Sequence, residues 1–196
     1  MRSIVAGLLC ICLVSCKQSK QVYVKAYFDF DSLVATQQAR LLSVRATVIK
    51  KTTLNNQAEE ATFIPDSLTW TKEFEVFRQL DVINKPGFKD TYKITDNEKD
   101  SRSNLLIRRY ESTLANAPVP RVTFYYQDEF SRLHKLEASF REENTLFKTE
   151  RKLMLEFDDA AGSHLLSQYR LTGVQKMVLG DSLRYSVEAT VVPGVF

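Results

Sequence analysis

Three acidic doublets are the residues best equipped for chemistry: Asp128-Glu129, Glu142-Glu143 and Asp158-Asp159, each placed by the surrounding pattern at a hairpin turn. In an up-and-down meander alternate turns share a rim, so the first and third doublets are expected together at one end of a sheet. Carboxylates gathered there bind a hard cation such as calcium or work as an acid/base pair. Solvated turn carboxylates with no role are the simpler reading, because acidic residues are common in turns. A calcium loop also needs its carboxylates closely spaced in one segment, and these are adjacent pairs far apart in the chain.

The other reactive side chains narrow the chemistry further. His134 and His164 are the only histidines and do not have the i, i+4 spacing of a zinc-protease helix, so each is read as a surface or strand-end residue. No Gly-x-Ser-x-Gly elbow is present, and the glycines at 7, 87, 162, 173, 180 and 194 never cluster into a phosphate-cradling or dinucleotide loop. No metal or cofactor is expected, and acyl, phosphoryl and hydride enzymes of familiar classes are disfavoured. Arg151 is the ligand-binding candidate, because it falls on the otherwise apolar face of the stretch from Phe147 to Phe157. A buried guanidinium requires a partner: either an acidic ligand or lipid headgroup in a cavity beneath the sheet, or water at an edge or bulge.

The first sixteen residues read as an address. Arg2 precedes an apolar run from Ile4 to Leu13, which is too short to span a bilayer as a mature helix and ends in small residues. The ending Leu13-Val14-Ser15-Cys16 resembles the lipobox of bacterial lipoproteins. That resemblance implies cleavage between Ser15 and Cys16 and lipidation, such as palmitate, on Cys16. The partner so implied is a membrane, held through N-terminal acyl chains, since one chain alone binds only marginally and several bind stably. Residues 1–15 are then signal peptide, 16–26 the acylated cysteine and tether, and 27–196 one globular domain.

Removing residues 1–15 leaves 181 of the 196, enough for one domain with a sizeable core. The net charge of +3 falls to +2 without Arg2, too little to imply nucleic acid. Cys10 and Cys12 leave with the signal and Cys16 is consumed by lipid, so no thiol remains for a disulfide or a nucleophile.

The elements that must position these side chains follow from periodicity. Asp29-Phe30-Asp31-Ser32 offers an N-cap for a helix over 32–43. A strand over 45–54, a turn at Asn55-Asn56 and a partner over 59–64 make a hairpin. Pro65-Asp66-Ser67 starts a second helix carrying Trp70, Phe74, Phe77 and Leu80, which runs until Asn84-Lys85-Pro86-Gly87 stops it. Short strands over 88–95 and 104–110 flank a polar loop from Asp96 to Ser103. A meander follows, with strands near 121–127, 132–142, 145–157, 164–179 and 183–192. The expected fold class is α+β: a large, curved antiparallel sheet with two helices on its apolar face.

The Tyr27-Phe28-Asp29 start, the Trp70 helix and the stop at Asp81-Val82-Ile83-Asn84-Lys85-Pro86 are similar to small envelope lipoproteins of Gram-negative bacteria that have no assigned activity. The size, anchor and helix-plus-sheet pattern also resemble the half-barrel carrier and acceptor proteins that move lipoproteins to the outer membrane, although no motif residue of those proteins is matched. Three functions follow as expectations. The first is a non-enzymatic accessory or interaction module of the envelope. The second is a lipid or lipoprotein binder with an apolar cavity, and the third a hydrolase using a carboxylate pair. Lys17 follows Cys16 in place of the aspartate associated with inner-membrane retention, and 17–21 lacks an acidic export tag. Outer-membrane attachment facing the periplasm is therefore expected.

Overall fold

The computed structural model describes residues 24–160 and 163–194; the signal segment and Cys16 lie outside the described residues. The chain forms α1 (Phe30–Ser43), β1 (Thr47–Leu54), β2 (Gln57–Phe63), α2 (Ser67–Arg78), β3 (Tyr92–Lys99), β4 (Leu106–Ser112), β5 (Arg121–Tyr126), β6 (Leu133–Glu143), β7 (Phe147–Ala160), β8 (Ser163–Met177) and β9 (Leu183–Val192). All nine strands join one antiparallel sheet in the order β2-β1-β9-β8-β7-β6-β5-β4-β3. From β3 to β9 it is a plain meander. The N-terminal hairpin then adds to β9, with Val48 opposite Val191 and Leu54 opposite Tyr185.

Both helices begin where a short acidic side chain satisfies the first free backbone donors. Asp29 accepts from Ser32 N at 2.9 Å, and Asp66 accepts from Thr69 N at 2.7 Å. α1 buries Phe30, Val34 and Leu41 on the sheet, and α2 buries Trp70, Phe74 and Phe77. These join Val48, Val122, Phe124, Leu136, Leu153, Leu155, Leu165 and Tyr169 in one continuous apolar cluster. Polar contacts fix the docking angle. Glu73 of α2 takes Lys50 Nζ at 2.7 Å and Tyr169 Oη at 2.7 Å, and burial followed by the Glu73 bond keeps that tyrosine protonated as a donor. Gln37 of α1 reaches the irregularity in β8, accepting from Leu166 N at 2.9 Å and donating to His164 O at 3.2 Å, and so satisfies backbone groups that the ladder leaves open.

Several expected boundaries are corrected. α2 does not run unbroken to Asn84: it ends at Arg78, and Gln79–Asn84 winds as a tighter 3-10 segment. That winding buries Leu80, Ile83 and Asn84 together and lets Asn84 Nδ2 bond to Phe28 O at 2.9 Å. The strand expected from 88 starts at Tyr92, because Pro86–Phe88 forms a further 3-10 turn. The polar stretch after Asp96 is not all loop. β3 continues to Lys99 through a register shift between Thr95 and Glu98, with Asn97 at φ 59°, so residues that usually mark a turn make a bulge here. That bulge aims the Asp96 carboxylate at Arg108 and at Tyr126 Oη.

Phe74 tests the packing directly. It is 2% exposed and lies against Trp70, with ring centroids 5.0 Å apart, and against Tyr169 at 6.4 Å. Phe74→Ala is expected to cost about 3–5 kcal/mol, read as a lowered midpoint in denaturant unfolding. A loss under about 1 kcal/mol would mean that α2 covers space rather than core.

Candidate functional site

Cross-strand pairing assembles a groove that no single segment announces. Phe140, Arg151, Gly173 and Tyr185 lie in one row across β6, β7, β8 and β9, each directly opposite the next. The rows on either side point to the face without helices. One is Ser139, Lys152, Thr172, Ser186 and Thr53; the other is Arg141, Glu150, Val174 and Arg184. Together they wall a groove of about 920 Å³ over five strands, roughly 19 Å across the sheet. One wall is a run of hydroxyls broken by a single ammonium, and the other is mostly charged. Among the described residues Lys152, Glu150 and Arg184 have no ion-pair partner, whereas Arg170 pairs with Glu188 at 3.3 Å farther along that face. The groove offers donors and acceptors of both signs to an extended polar ligand.

Arg151 borders this groove by its backbone and sends its side chain the other way. Its guanidinium donates to Gln79 Oε1 at 3.0 Å, just past α2, and to Tyr185 Oη at 3.2 Å, and it sits 5.4 Å from the Phe140 ring. The half-buried cation thus has neutral partners within the chain. Gly173 makes this possible, because a Cβ there would fall 2.4 Å from the Tyr185 ring that carries the accepting hydroxyl.

The acidic doublets do not converge as a set. Asp128-Glu129 lies in the β5–β6 turn, where Asp128 meets Arg132 at 3.4 Å. Asp158-Asp159 sits within β7 rather than in a turn, because that strand runs on to Ala160, and Glu142-Glu143 closes β6. The two histidines, read as surface or strand-end residues, stand second in β6 and β8 and are neighbours with ring centroids 5.6 Å apart. Antiparallel pairing brings the starts of β6 and β8 to one rim on either side of β7. His164 bonds to Asp159 at 3.0 Å, lies over Phe157, and also reaches the Leu133 carbonyl.

Three carboxylates do converge elsewhere, and sequence reasoning missed them. Asp29, Asp31 and Asp81 present oxygens within 4.8 Å of one another. The cation among them is the chain's own: Lys25 Nζ lies 2.6 Å from Asp29, 2.9 Å from Asp31 and 2.8 Å from Asp81. Asp81 also accepts from Phe30 N, and Asn84 Oδ1 accepts from Tyr27 N at 2.9 Å, so residues 25–30 are clamped to the 3-10 segment. Lys25 was assigned to the tether by composition. The one available signal was the acidic cap Asp29-Phe30-Asp31 just after it; the separation of Asp81 from Lys25 hid the third oxygen.

A smaller cavity of about 510 Å³ opens between α1 and the rim of the sheet. Phe28, Leu33, Phe130, Leu133 and Phe157 line it, with Arg40 and His164 on its polar side. Among the described residues no helix is long and apolar enough to cross a membrane.

No protein-family model matches the chain, and no curated protein matches it. Among solved structures, the crystal structure of a LolA superfamily protein from Nitrosomonas europaea aligns over 88% of this chain and 95% of that one. The identity is 9% and the TM-score 0.26, and no function is carried across from it.

The Lys25 clamp has a pH signature. Partial burial pushes Asp29 up, but the bonds from Lys25 and Ser32 N outweigh it and hold the carboxyl below its ordinary 3.8. Burial likewise lowers Lys25, and its three carboxylate bonds hold it well above the ordinary 10.5. A depressed carboxyl stabilises the fold above its unfolded value and loses that contribution as pH falls through the folded one. The raised lysine stabilises below its unfolded value and loses that as pH rises through the folded one. Lys25→Met should cost roughly 1–2 kcal/mol at neutral pH, discounted for the exposure of Asp29 and Asp31. It should also flatten the loss of stability below about pH 4, measured by thermal unfolding across pH. An unchanged acid limb would show that the clamp contributes nothing.

Proposed function

We propose that this chain is a lipid-anchored, non-enzymatic interaction module of the cell envelope, held by acyl groups on Cys16 and facing the periplasm from the outer membrane. The observation that carries the reading is the open groove on the helix-free face, walled by Ser139, Lys152, Thr172 and Ser186 and crossing strands whose other face is filled with core. Such a surface binds a polar, extended partner. The tethers of anchored modules raise the local concentration of partners in the same membrane. The acidic convergence at Asp29, Asp31 and Asp81 supports this over hydrolysis, because those oxygens are engaged with Lys25.

A second reading has its own observation. The cavity beside α1, with five apolar residues and both Arg40 and Asp29 at its polar edge, has the size of a small-molecule pocket and would suit an acyl chain with a polar head. On that reading the chain is a lipid or lipoprotein binder.

Two experiments separate these readings. Cys16→Ser should abolish acylation and move the chain out of the membrane fraction, with the mass of the mature N-terminus as the readout; unchanged partitioning and mass would refute the anchor. A photo-crosslinking residue at Ser139 in the native envelope should give a discrete adduct that Thr172→Trp removes. An adduct-free groove, together with acyl-probe binding that Leu33→Trp abolishes, would replace the module reading with the carrier.

A further inference from the structure

The turns β6–β7 and β8–β9 meet at one rim of the sheet and present Leu146, Met177, Val178 and Leu179 to solvent. Their exposures are 68%, 41%, 67% and 91%. Such side chains are ordinarily scattered singly, and a contiguous exposed set marks a binding surface. The set is held in place. Asn144 Oδ1 accepts from Leu146 N at 2.8 Å and Phe147 N at 3.0 Å, and Val178 N donates to Leu146 O at 3.0 Å, which ties the two turns together. Immediately behind the tip, Lys148 and Lys176 stand directly opposite each other on neighbouring strands. Like charges so placed repel. Lys148 has Glu143 at 3.3 Å, and among the described residues Lys176 has no carboxylate partner.

We propose that this tip is a membrane-docking surface that seats its four apolar side chains in the interfacial zone of an anionic bilayer, with Lys176 at the phosphates. The proposal rests on the lipid-anchored reading for its geometry. Seven residues, 17–23, separate Cys16 from Val24, and the eight steps between them reach at most about 29 Å, so an anchored body lies close to its own bilayer. The clamped start of the body and the tip are joined through the end of α2. Lys25 is bonded to Asp81, Gln79 of the same 3-10 segment holds Arg151, and Leu146 is five residues, about 17 Å, along the strand direction from Arg151. The tip is convex, two turns side by side, so a protein partner would have to supply the pocket, whereas a bilayer receives protruding apolar residues as they are. Glu143 offsets Lys148, and Glu142 and Asp181 lie at the same rim, so the four apolar side chains carry the docking and Lys176 is the charge left to meet an anionic surface.

The test uses the full chain with Leu179→Trp, mixed with vesicles of brominated phosphatidylglycerol and, in parallel, of brominated phosphatidylcholine. Trp70, the only native tryptophan, is buried and supplies a constant background. The expected result is a blue shift and quenching at position 179 on phosphatidylglycerol, weaker on phosphatidylcholine, and none for Glu59→Trp on the exposed edge strand β2. Lys176→Gln should weaken binding to the anionic vesicles roughly fivefold. Mass measurement of the N-terminus reports acylation separately. A chain found unacylated should still show quenching at high lipid, so failure of the anchor and failure of the tip are distinct outcomes. Absence of quenching with the acylated protein on the vesicles, or at high lipid with the unacylated one, overturns the proposal, as does equal quenching of Glu59→Trp.

Discussion

Two short helices cannot cover one face of nine strands, and most of the architecture follows from that shortfall. Eight inter-strand spacings make a sheet roughly 38 Å wide. Helices of 14 and 12 residues are about 21 and 18 Å long and, packed side by side, shield roughly 20 Å of that width. They sit over the side built from β1, β9, β8 and β7, where Glu73 meets Lys50 and Tyr169. The opposite side needs another cover. It is supplied by residues 27 and 28: Tyr27 packs on Tyr92 and Tyr110, and Phe28 on Phe124 and Phe130. Lys25, Asp81 and Asn84 therefore do more than decorate a surface. They hold a layer of the core that has no regular structure of its own to keep it in place.

That arrangement explains which side chains remain free. On the helix-covered face Glu73, Gln37, Asp81 and Asn84 are committed to docking a helix or the N-terminal segment, and even the half-buried Arg151 joins β7 to the end of α2. The helix-free face carries no such duty. Its rows of serine, threonine and charged residues are set by alternation and register, which is how Lys152 and Glu150 stand without an ion-pair partner among the described residues.

Much of the fold was legible in local pattern. Alternation located β5 to β9 within a few residues, Asn55-Asn56 marked a hairpin whose Asn55 takes φ 45°, and Trp70, Phe74 and Phe77 showed a buried helical stripe. What escaped was non-local. Nothing near Thr47 states that β1 will pair with β9, and nothing near His134 states that β7 will bring His164 alongside it. The Asp96-Asn97 bulge escaped for another reason: the same residue types make turns, and only the partner strand decides between the two outcomes. The groove is a property of register across five strands, so its residues looked like ordinary solvent-facing positions, and Lys25 looked like tether because Asp81, the partner that ties it to the body, is 56 residues away.

The pairing of β1 with β9 has a consequence for how the chain comes to be folded at all. Residues 47–54 are made early and residues 183–192 near the end, so the seam between the N-terminal hairpin and the meander closes across well over a hundred intervening positions. Loop closure of that length is entropically unfavourable until its contacts form, and topologies dominated by such pairings fold slowly. Both helices dock beside this seam, α2 through Glu73 to Lys50 of β1 and Tyr169 of β8 and α1 through Gln37 to β8. The hairpin of β1 and β2 therefore takes its place in the sheet only after β9 has been made, and the two ends of the described fold are joined in a single seam.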